Sequence, residues 1–198
     1  MSIIHRSRYT HMIASTSSHP TAAMVDLGCN DRGAAALLNG KILIDTRAHT
    51  AWGAAVLTQL YLPLERAIAW QRLTNYPRWT QYFPDMTESR VVAHPTYTRL
   101  YQAASKTFLF LTVQVEIYLK VLETASQQIQ FQLDSNSSSF TDFAADLKLH
   151  DYADGTLLTY YVQATPTIPV PSPLIQQAIQ FDLPSNLQQM RQVLCQAI

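Results

Sequence analysis

Four aspartates in one short stretch form the densest group of residues that could carry out chemistry. They are Asp142, Asp146, Asp151 and Asp154. Carboxylates at this density can bind a metal ion. The first two, however, alternate with Phe143 and Leu147, so they share the strand face opposite the apolar side chains. We therefore expect these carboxylates to face solvent, and the sequence predicts no metal site.

The usual catalytic arrangements are not found in the sequence. No histidine pair has the spacing of metal ligands, and with only five glycines the chain has no glycine-rich phosphate loop. General acid–base catalysis requires a positioned side chain with a suitable pKa. We expect no catalytic residue and no cofactor, because the inward strand faces offer few titratable groups. The remaining candidates are Gln102, Thr58, Tyr160 and Tyr101.

Gln102 has two interpretations that the sequence leaves open. It shares a predicted strand face with Leu100 and Ala104, so its amide points inward. The amide is either a hydrogen-bonded polar group of the core or a contact that orients a ligand in a pocket.

The composition excludes several functional classes. Hydrophobic residues make up 47% of the chain, charged residues 14%, and the formal net charge is zero. A substantial core is expected, but no basic surface for nucleic acid. The two cysteines, Cys29 and Cys195, lie far apart, so we expect neither a disulfide framework nor a zinc site. The longest apolar run, residues 108–115, is shorter than the roughly 18 residues of a membrane-spanning helix.

The N-terminal segment differs from the rest of the chain. Its first 25 residues contain no Asp or Glu and include Arg6 and Arg8 among many Ser and Thr residues. We interpret residues 1–40 as a disordered tail and residues 41–198 as one domain. The alternatives are an organelle transit peptide or a true start at Met12 or Met24. The expected location is the cytoplasm, or the plastid stroma if the segment is a transit peptide.

Period-two alternation predicts that much of the chain forms β-strands. The clearest strand runs from Leu109 to Val121, with apolar residues at the odd positions. Asp154-Gly155 predicts a hairpin turn. Consecutive strands joined by tight turns favour an antiparallel meander. Other strands are predicted over residues 41–46, 55–62, 128–133, 142–149 and 158–162.

Helices are predicted in two places. One starts at Leu64 or Glu65 and is followed by a short turn capped by Asn75. Near the C-terminus, residues 165–173 contain four prolines and predict an extended linker. Helices over 174–179 and 187–194 follow, and Pro184 is expected to break or kink the helix between them.

The order of these elements resembles the START-like (SRPBCC) superfamily, and within it the cyclase/dehydrase branch. The resemblance rests on W-Q-R-L-T-N-Y-P at 70–77, F-P-D-M-T-E-S-R-V at 83–91, L-L-T-Y-Y-V at 157–162, and the proline-flanked C-terminal segment. It is strongest to cyanobacterial and plastid proteins and more distant to coenzyme-Q-binding proteins. Asn75 stands where the family has Asp, and Ala145 and Leu147 stand where many members have Gly and Trp.

The resemblance implies an α+β helix-grip fold. In that fold a curved antiparallel sheet wraps around a long C-terminal helix, with two short helices after the first strand and a hydrophobic cavity inside. The implied function is non-catalytic binding or chaperoning of a lipid, quinone, isoprenoid or pigment. The alternatives are a cyclase/dehydratase-type enzyme acting on a polyketide-like or isoprenoid substrate, and an assembly factor whose cavity is filled by its own side chains.

The cavity is expected to be lined from the inward strand faces and the C-terminal helix. The aromatic residues at 70–83 either form a gate or pack against the sheet, and exposed aromatics there would also serve transient membrane or protein contact. The candidate gate residues are Trp79, Tyr82 and Phe83. The candidate lining residues are Thr58, Leu60, Leu100, Gln102, Leu111, Val113, Val115, Ile117, Phe131, Phe143, Leu147, Tyr160, Ile175 and Ile179.

Overall fold

One curved antiparallel sheet of eight strands forms most of the structure. The protein is represented by a computed structural model that describes residues 31–108 and 111–196, apart from a few side chains within these ranges. The strands are β1 (Leu43–Ala48), β2 (Ala54–Leu62), β3 (Met86–Val92), β4 (Thr98–Phe108), β5 (Leu111–Thr124), β6 (Gln128–Leu133), β7 (Phe140–Tyr152) and β8 (Gly155–Pro166). Their order in the sheet is β1-β2-β8-β7-β6-β5-β4-β3, so β3 to β8 form the predicted meander.

Helices lie before, within and after the sheet. They are α1 (Asp31–Leu38), α2 (Arg66–Leu73), a 3-10 turn (Tyr76–Arg78), α3 (Trp79–Tyr82), α4 (Ser172–Gln177) and α5 (Leu183–Cys195). Two short helices and a long C-terminal helix around one sheet are the predicted α+β helix-grip arrangement. Among the described residues, no helix is long and apolar enough to cross a membrane.

The concave face of the sheet is apolar because side chains alternate along each strand. Ile117 of β5, Phe131 of β6 and Leu147 of β7 are buried in one cluster with Leu187 and Met190 of α5. Each large side chain buried in this way contributes about 1.5–3 kcal/mol. The assignment to the concave face is confirmed for Ile117, Leu119 and Val121, the odd positions of β5 that lie in this cluster.

The C-terminal helix continues where a break was predicted. Between α4 and α5, residues Ala178–Asp182 form a π-helical turn, and the N–H of Leu183 donates to the carbonyl of Ala178 five residues earlier. Pro184 has no N–H to donate, so the regular pattern is interrupted here, and the widened turn keeps the chain helical. Residues 172–195 therefore form one long helix rather than two separated ones.

Helix α1 lies within the segment that was predicted to be a tail. Its Leu37 is fully buried against Tyr61 and Leu157 on the convex face of the sheet. The helix ends at Leu38 and a turn follows, in which Gly40 has a φ of 78° that favours glycine and its N–H donates to the carbonyl of Leu37. The ordered chain thus begins before residue 41, and residues 1–30 of the predicted tail lie outside the described residues.

One turn prediction was wrong, and another was confirmed with its turn shifted by one residue. Asn75 makes no side-chain cap, because Pro77 has no N–H and the N–H of Arg78 donates to the backbone carbonyl of Asn75 at 3.0 Å. In the last hairpin Tyr152 pairs with Gly155, so the turn residues are Ala153 and Asp154 rather than Asp154-Gly155. Gly155 is required for space, since a Cβ there would lie 2.3 Å from the carbonyl oxygen of Leu62.

Candidate functional site

A cavity of about 330 Å³ lies between strands β2 and β8 and the first half of the C-terminal helix. We call it the main cavity. Trp52 lies at its rim, where the indole Nε1 donates to the carbonyl of Pro166 at 3.1 Å, so its polar atom has a partner. Every lining side chain that the structure describes is apolar or aromatic. The lining residues are Trp52, Ala54, Val56, Val162, Ala164, Pro166, Val170, Leu174, Ile175, Ala178 and Ile179.

The main cavity lies where two paired strands carry small side chains. On the concave face, β2 has Val56 and Ala54 at the cavity. Strand β8 has Val162 and Ala164 there, and Ala164 is the direct pairing partner of Ala54. Leu60 and Leu158 are fully buried and fill the core, whereas the alanines leave space beneath the helix.

A smaller cavity of about 140 Å³ opens on the same face between β3, β4, β5 and the start of β7. We call it the minor cavity. Gln102 is the only polar side chain among its described lining residues and is 8% exposed, with Nε2 donating to Oγ of Ser89 over a long 3.4 Å. The lining residues are Met86, Gln102, Ala103, Ala104, Val115, Ile117, Phe140 and Phe143.

An ion cluster lies beside the minor cavity. Lys106 Nζ is 2.9 Å from Asp85 Oδ2 and 2.7 Å from Asp182 Oδ2, so it joins β4 to the end of the π-helical turn. Burial alone would lower the pKa of Lys106, but the hydrogen bonds and charges of the two aspartates outweigh it and raise that pKa. The lysine therefore stays charged and ties the helix to the sheet.

Tyr160 carries an unusual hydroxyl. Burial raises the pKa of this tyrosine to about 12. Among the residues that the structure describes, its hydroxyl has no hydrogen-bond partner, while its backbone carbonyl accepts from Thr58 Oγ1 at 3.1 Å. A phenol with such a pKa is neutral at physiological pH, so Tyr160 can donate a hydrogen bond but is a poor base.

The four aspartates are not assembled into a site in the described part of the chain. Asp142 Oδ2 lies 2.5 Å from His49 Nε2, and Asp146 Oδ2 lies 3.6 Å from Lys148 Nζ. Both are on the convex face, opposite Phe143 and Leu147, as their spacing predicted. No group of three potential metal ligands occurs among the described residues.

Another acidic residue is held by a network on the outer side of the sheet. Asp134 accepts hydrogen bonds from the hydroxyl of Tyr97 and the N–H of Asn136, and it forms an ion pair with Arg99 at 3.2 Å. Burial would raise the pKa of this carboxyl, but these hydrogen bonds and the positive charge hold it below its ordinary value of 3.8. The network is part of the fold and lies away from both cavities.

The predicted lining residues are distributed over three environments. Ile175 and Ile179 line the main cavity, while Gln102, Val115, Ile117 and Phe143 line the minor cavity. The side chains of Leu111 and Val113 lie outside the described residues. Tyr160 is partly buried against the core. The residues that fill the core instead of lining a cavity are Thr58, Leu60, Leu100, Phe131 and Leu147.

The candidate gate residues favour the packing interpretation. Trp79 and Tyr82 are 5% and 0% exposed. The Trp79 indole Nε1 donates to the carbonyl of Leu73 at 2.8 Å, and the Tyr82 hydroxyl donates to the carbonyl of Arg72 at 2.9 Å. Phe83 packs against Trp79 at a ring distance of 5.9 Å. None of the three lines either cavity.

Sequence reasoning missed the small residues that create the main cavity. Ala54, Ala164 and Ala178 carry no polar or aromatic group that would attract attention. The signal that could have found the first two is the small residue at the end of each inward strand face, Ala54 in β2 and Ala164 in β8. Trp52 was missed because it lies in a turn, where strand periodicity gives no information.

Solved structures of low sequence identity share this architecture, although no protein-family model and no curated protein matches the sequence. A STAR-related lipid transfer protein from Xanthomonas axonopodis is 16% identical, with 78% of this chain and 94% of that chain covered and a TM-score of 0.58. A START superfamily protein from Mycobacterium smegmatis is 15% identical, with coverages of 71% and 98% and a TM-score of 0.52. The Zhui aromatase/cyclase from Streptomyces sp. R1128 is 6% identical, with coverages of 76% and 94% and a TM-score of 0.55.

At these identities the likeness concerns the fold, and the narrower resemblance to the cyclase/dehydrase branch stays a prediction. The common features are the curved antiparallel sheet, the short helices and the long C-terminal helix that the sheet wraps. The chain therefore has the START-like (SRPBCC) helix-grip fold.

Proposed function

We propose that the protein reversibly binds one hydrophobic small molecule in the main cavity. The observation that carries the proposal is a space of about 330 Å³ whose described lining side chains are all apolar or aromatic. Ligand sites typically occupy about 300–1,000 Å³, so this one suits a small or slender molecule. The hydrophobic effect would drive binding at about 25 cal/mol per Å² of apolar surface removed from water.

The lining chemistry favours binding over catalysis. An acid–base enzyme needs a titratable group within hydrogen-bond reach of the reacting atoms. The described lining of the main cavity has no titratable side chain, and the nearby Tyr160 has a pKa raised to about 12. These features support a binder or chaperone rather than a cyclase or dehydratase. The open volume also counts against an assembly factor whose cavity is filled by its own side chains.

Two structurally similar proteins give independent support for a hydrophobic ligand. One is described as a lipid transfer protein and another as an aromatase/cyclase. The two descriptions name different activities, and what the two proteins share with this chain is the fold. The proposed ligand classes therefore remain lipid, isoprenoid, quinone and pigment.

The proposal can be tested with naphthalene as a small apolar probe. If the probe binds only the folded state, it stabilises that state by about 2.7 kcal/mol at a hundredfold excess over the dissociation constant. We expect a rise in melting temperature, and native mass spectrometry of the purified protein should show a bound hydrophobic molecule. A protein that neither carries such a molecule nor responds to naphthalene would contradict the proposal.

Matched alanine substitutions locate the binding. Ala164→Phe places a ring in the main cavity, whereas Ala144→Phe places the same ring on the opposite face of the neighbouring strand. Both alanines lie within regular strand pairing. We expect only the first variant to lose the response to naphthalene. An equal loss in both variants would show that the probe binds elsewhere.

A further inference from the structure

The two cavities are separated by side chains rather than by backbone. Phe140 and Phe143 both line the minor cavity, and their ring centroids are 5.7 Å apart. In the sheet, Phe143 is the direct neighbour of Ala164 and Phe140 is the direct neighbour of Pro166. Ala164 and Pro166 line the main cavity, so the two rings stand between the two spaces.

The sheet leaves room for these rings to move. Strand β6 pairs with β7 only as far as Ala144, so no β6 residue is paired with Phe143 or Phe140. Both rings are only partly buried at the edge of the core cluster. A change of rotamer at Phe143 would join the main and minor cavities, and such changes are fast compared with binding.

The minor cavity supplies a polar end to the joined space. Gln102 Nε2 makes one long bond to Ser89, and its Oε1 accepts no hydrogen bond from the described residues. The amide can therefore donate to and accept from a guest. Burying a hydroxyl or carbonyl without such a partner would weaken binding.

The ion cluster disfavours a negatively charged guest. Asp85 precedes Met86, which lines the minor cavity, and Lys106 lies two residues after Ala104, another lining residue. The cluster has one lysine and two aspartates, so it carries one net negative charge. The lysine is already paired, and an anionic head group would meet uncompensated negative charge.

We propose that the natural ligand is a single-chain amphiphile with an uncharged hydroxyl or carbonyl head, bound across both cavities. Its chain lies in the main cavity, its head meets Gln102, and Phe143 admits it by turning aside. This inference rests on the proposed function, because it assigns the ligand class and a selective residue to the same binding site.

Dodecanol and naphthalene distinguish the inference from the proposed function. At roughly 30 Å³ per heavy atom, by analogy with water, naphthalene fits the main cavity of about 330 Å³. By the same analogy dodecanol has a volume of roughly 390 Å³. This volume exceeds that of the main cavity but is smaller than the two cavities together. We expect calorimetry to show that dodecanol binds more tightly than dodecanoate, its anionic counterpart.

Three variants test the head contact and the partition. Gln102→Leu should weaken dodecanol binding by about tenfold, the effect of one lost hydrogen bond, and leave naphthalene binding unchanged. Gln132→Leu, the same change on the convex face, should alter neither. Phe143→Leu should strengthen dodecanol binding and leave naphthalene binding unchanged. Gln102→Met replaces Gln102→Leu if the latter does not fold.

The outcomes separate the two ideas. The inference is wrong, and the proposed function stands, if naphthalene binds but dodecanoate binds as tightly as dodecanol or more tightly. The same conclusion follows if Gln102→Leu leaves the affinity for dodecanol unchanged. If neither naphthalene nor dodecanol binds, both are wrong. Unchanged dodecanol binding in Phe143→Leu would show that the rings do not separate the two spaces for a ligand.

Discussion

The substitution Ala178→Leu offers a direct test of the main cavity, because an unoccupied apolar space should accept a larger side chain. Ala178 opens the π-helical turn and lines the main cavity. Leucine and alanine are both good helix formers, so the change has little effect on helix propensity. What changes is the volume of apolar material between the helix and strands β2 and β8.

The expected gain follows from the three added carbon atoms. At about 0.8 kcal/mol for each buried methylene-sized group, Ala178→Leu would raise the free energy of unfolding by at most about 2.4 kcal/mol. Overpacking elsewhere in cores typically costs about 1–3 kcal/mol, but the cavity of about 330 Å³ gives the new side chain space. For a chain of this size the gain corresponds to a rise in melting temperature of up to about 5–10 °C.

Chemical denaturation and calorimetry measure the effect, with Ala67→Leu as the control. Ala67 is an exposed alanine in helix α2, and the same change there should stay within about 0.5 kcal/mol. Ala178→Leu should also reduce the response to naphthalene, since it occupies the same space. Destabilisation by Ala178→Leu, or a stability equal to that of the control, would refute the cavity as described.

Three further outcomes follow from the packing and the charges. Ile117→Lys should cost several kcal/mol in urea denaturation because it buries an unpaired charge, whereas Glu116→Lys on the exposed face should cost little; equal effects would contradict the face assignment. Leu37→Ala should cost about 2–5 kcal/mol because Leu37 is fully buried, and Leu38→Ala, at a position 48% exposed, should be near neutral. The pKa of Asp134 is held below 3.8 in the folded state, so its stabilising effect is present above pH ~4 and is lost as the pH falls through the folded value; a urea series from pH 6 to pH 2 should show a smaller loss in Asp134→Asn than in the unchanged protein.

The alternation of side chains was enough to predict the sheet. In β5 the apolar residues fall at every second position, and a strand is the only regular element that places such residues on one face. That pattern identified Ile117 as inward-facing and Glu116 as outward-facing. The prolines of residues 165–173 likewise predicted the extended connection before the C-terminal helix.

The alternation of apolar and polar residues could not show which side chains pack against each other across the interior. Trp79 and Tyr82 are consistent with either a gate or a packed cluster in the sequence, and only their burial and hydrogen bonds to α2 distinguish the two. Residues 34–38 were predicted to form at most one helical turn within a tail, whereas helix α1 spans Asp31–Leu38. The burial of Leu37 depends on Tyr61 and Leu157, which are distant in the chain.

The sequence by itself determined the strands, their inward faces, their meander order and the apolar character of the interior, because these depend on local periodicity and composition. Only the tertiary structure decided where space remains. A cavity is the difference between the volume that the backbone encloses and the volume that the side chains fill. That difference depends on residues far apart in the sequence: Ala54, Ala164 and Ala178 together leave the main cavity open, and Phe140 and Phe143 line the minor cavity with Gln102.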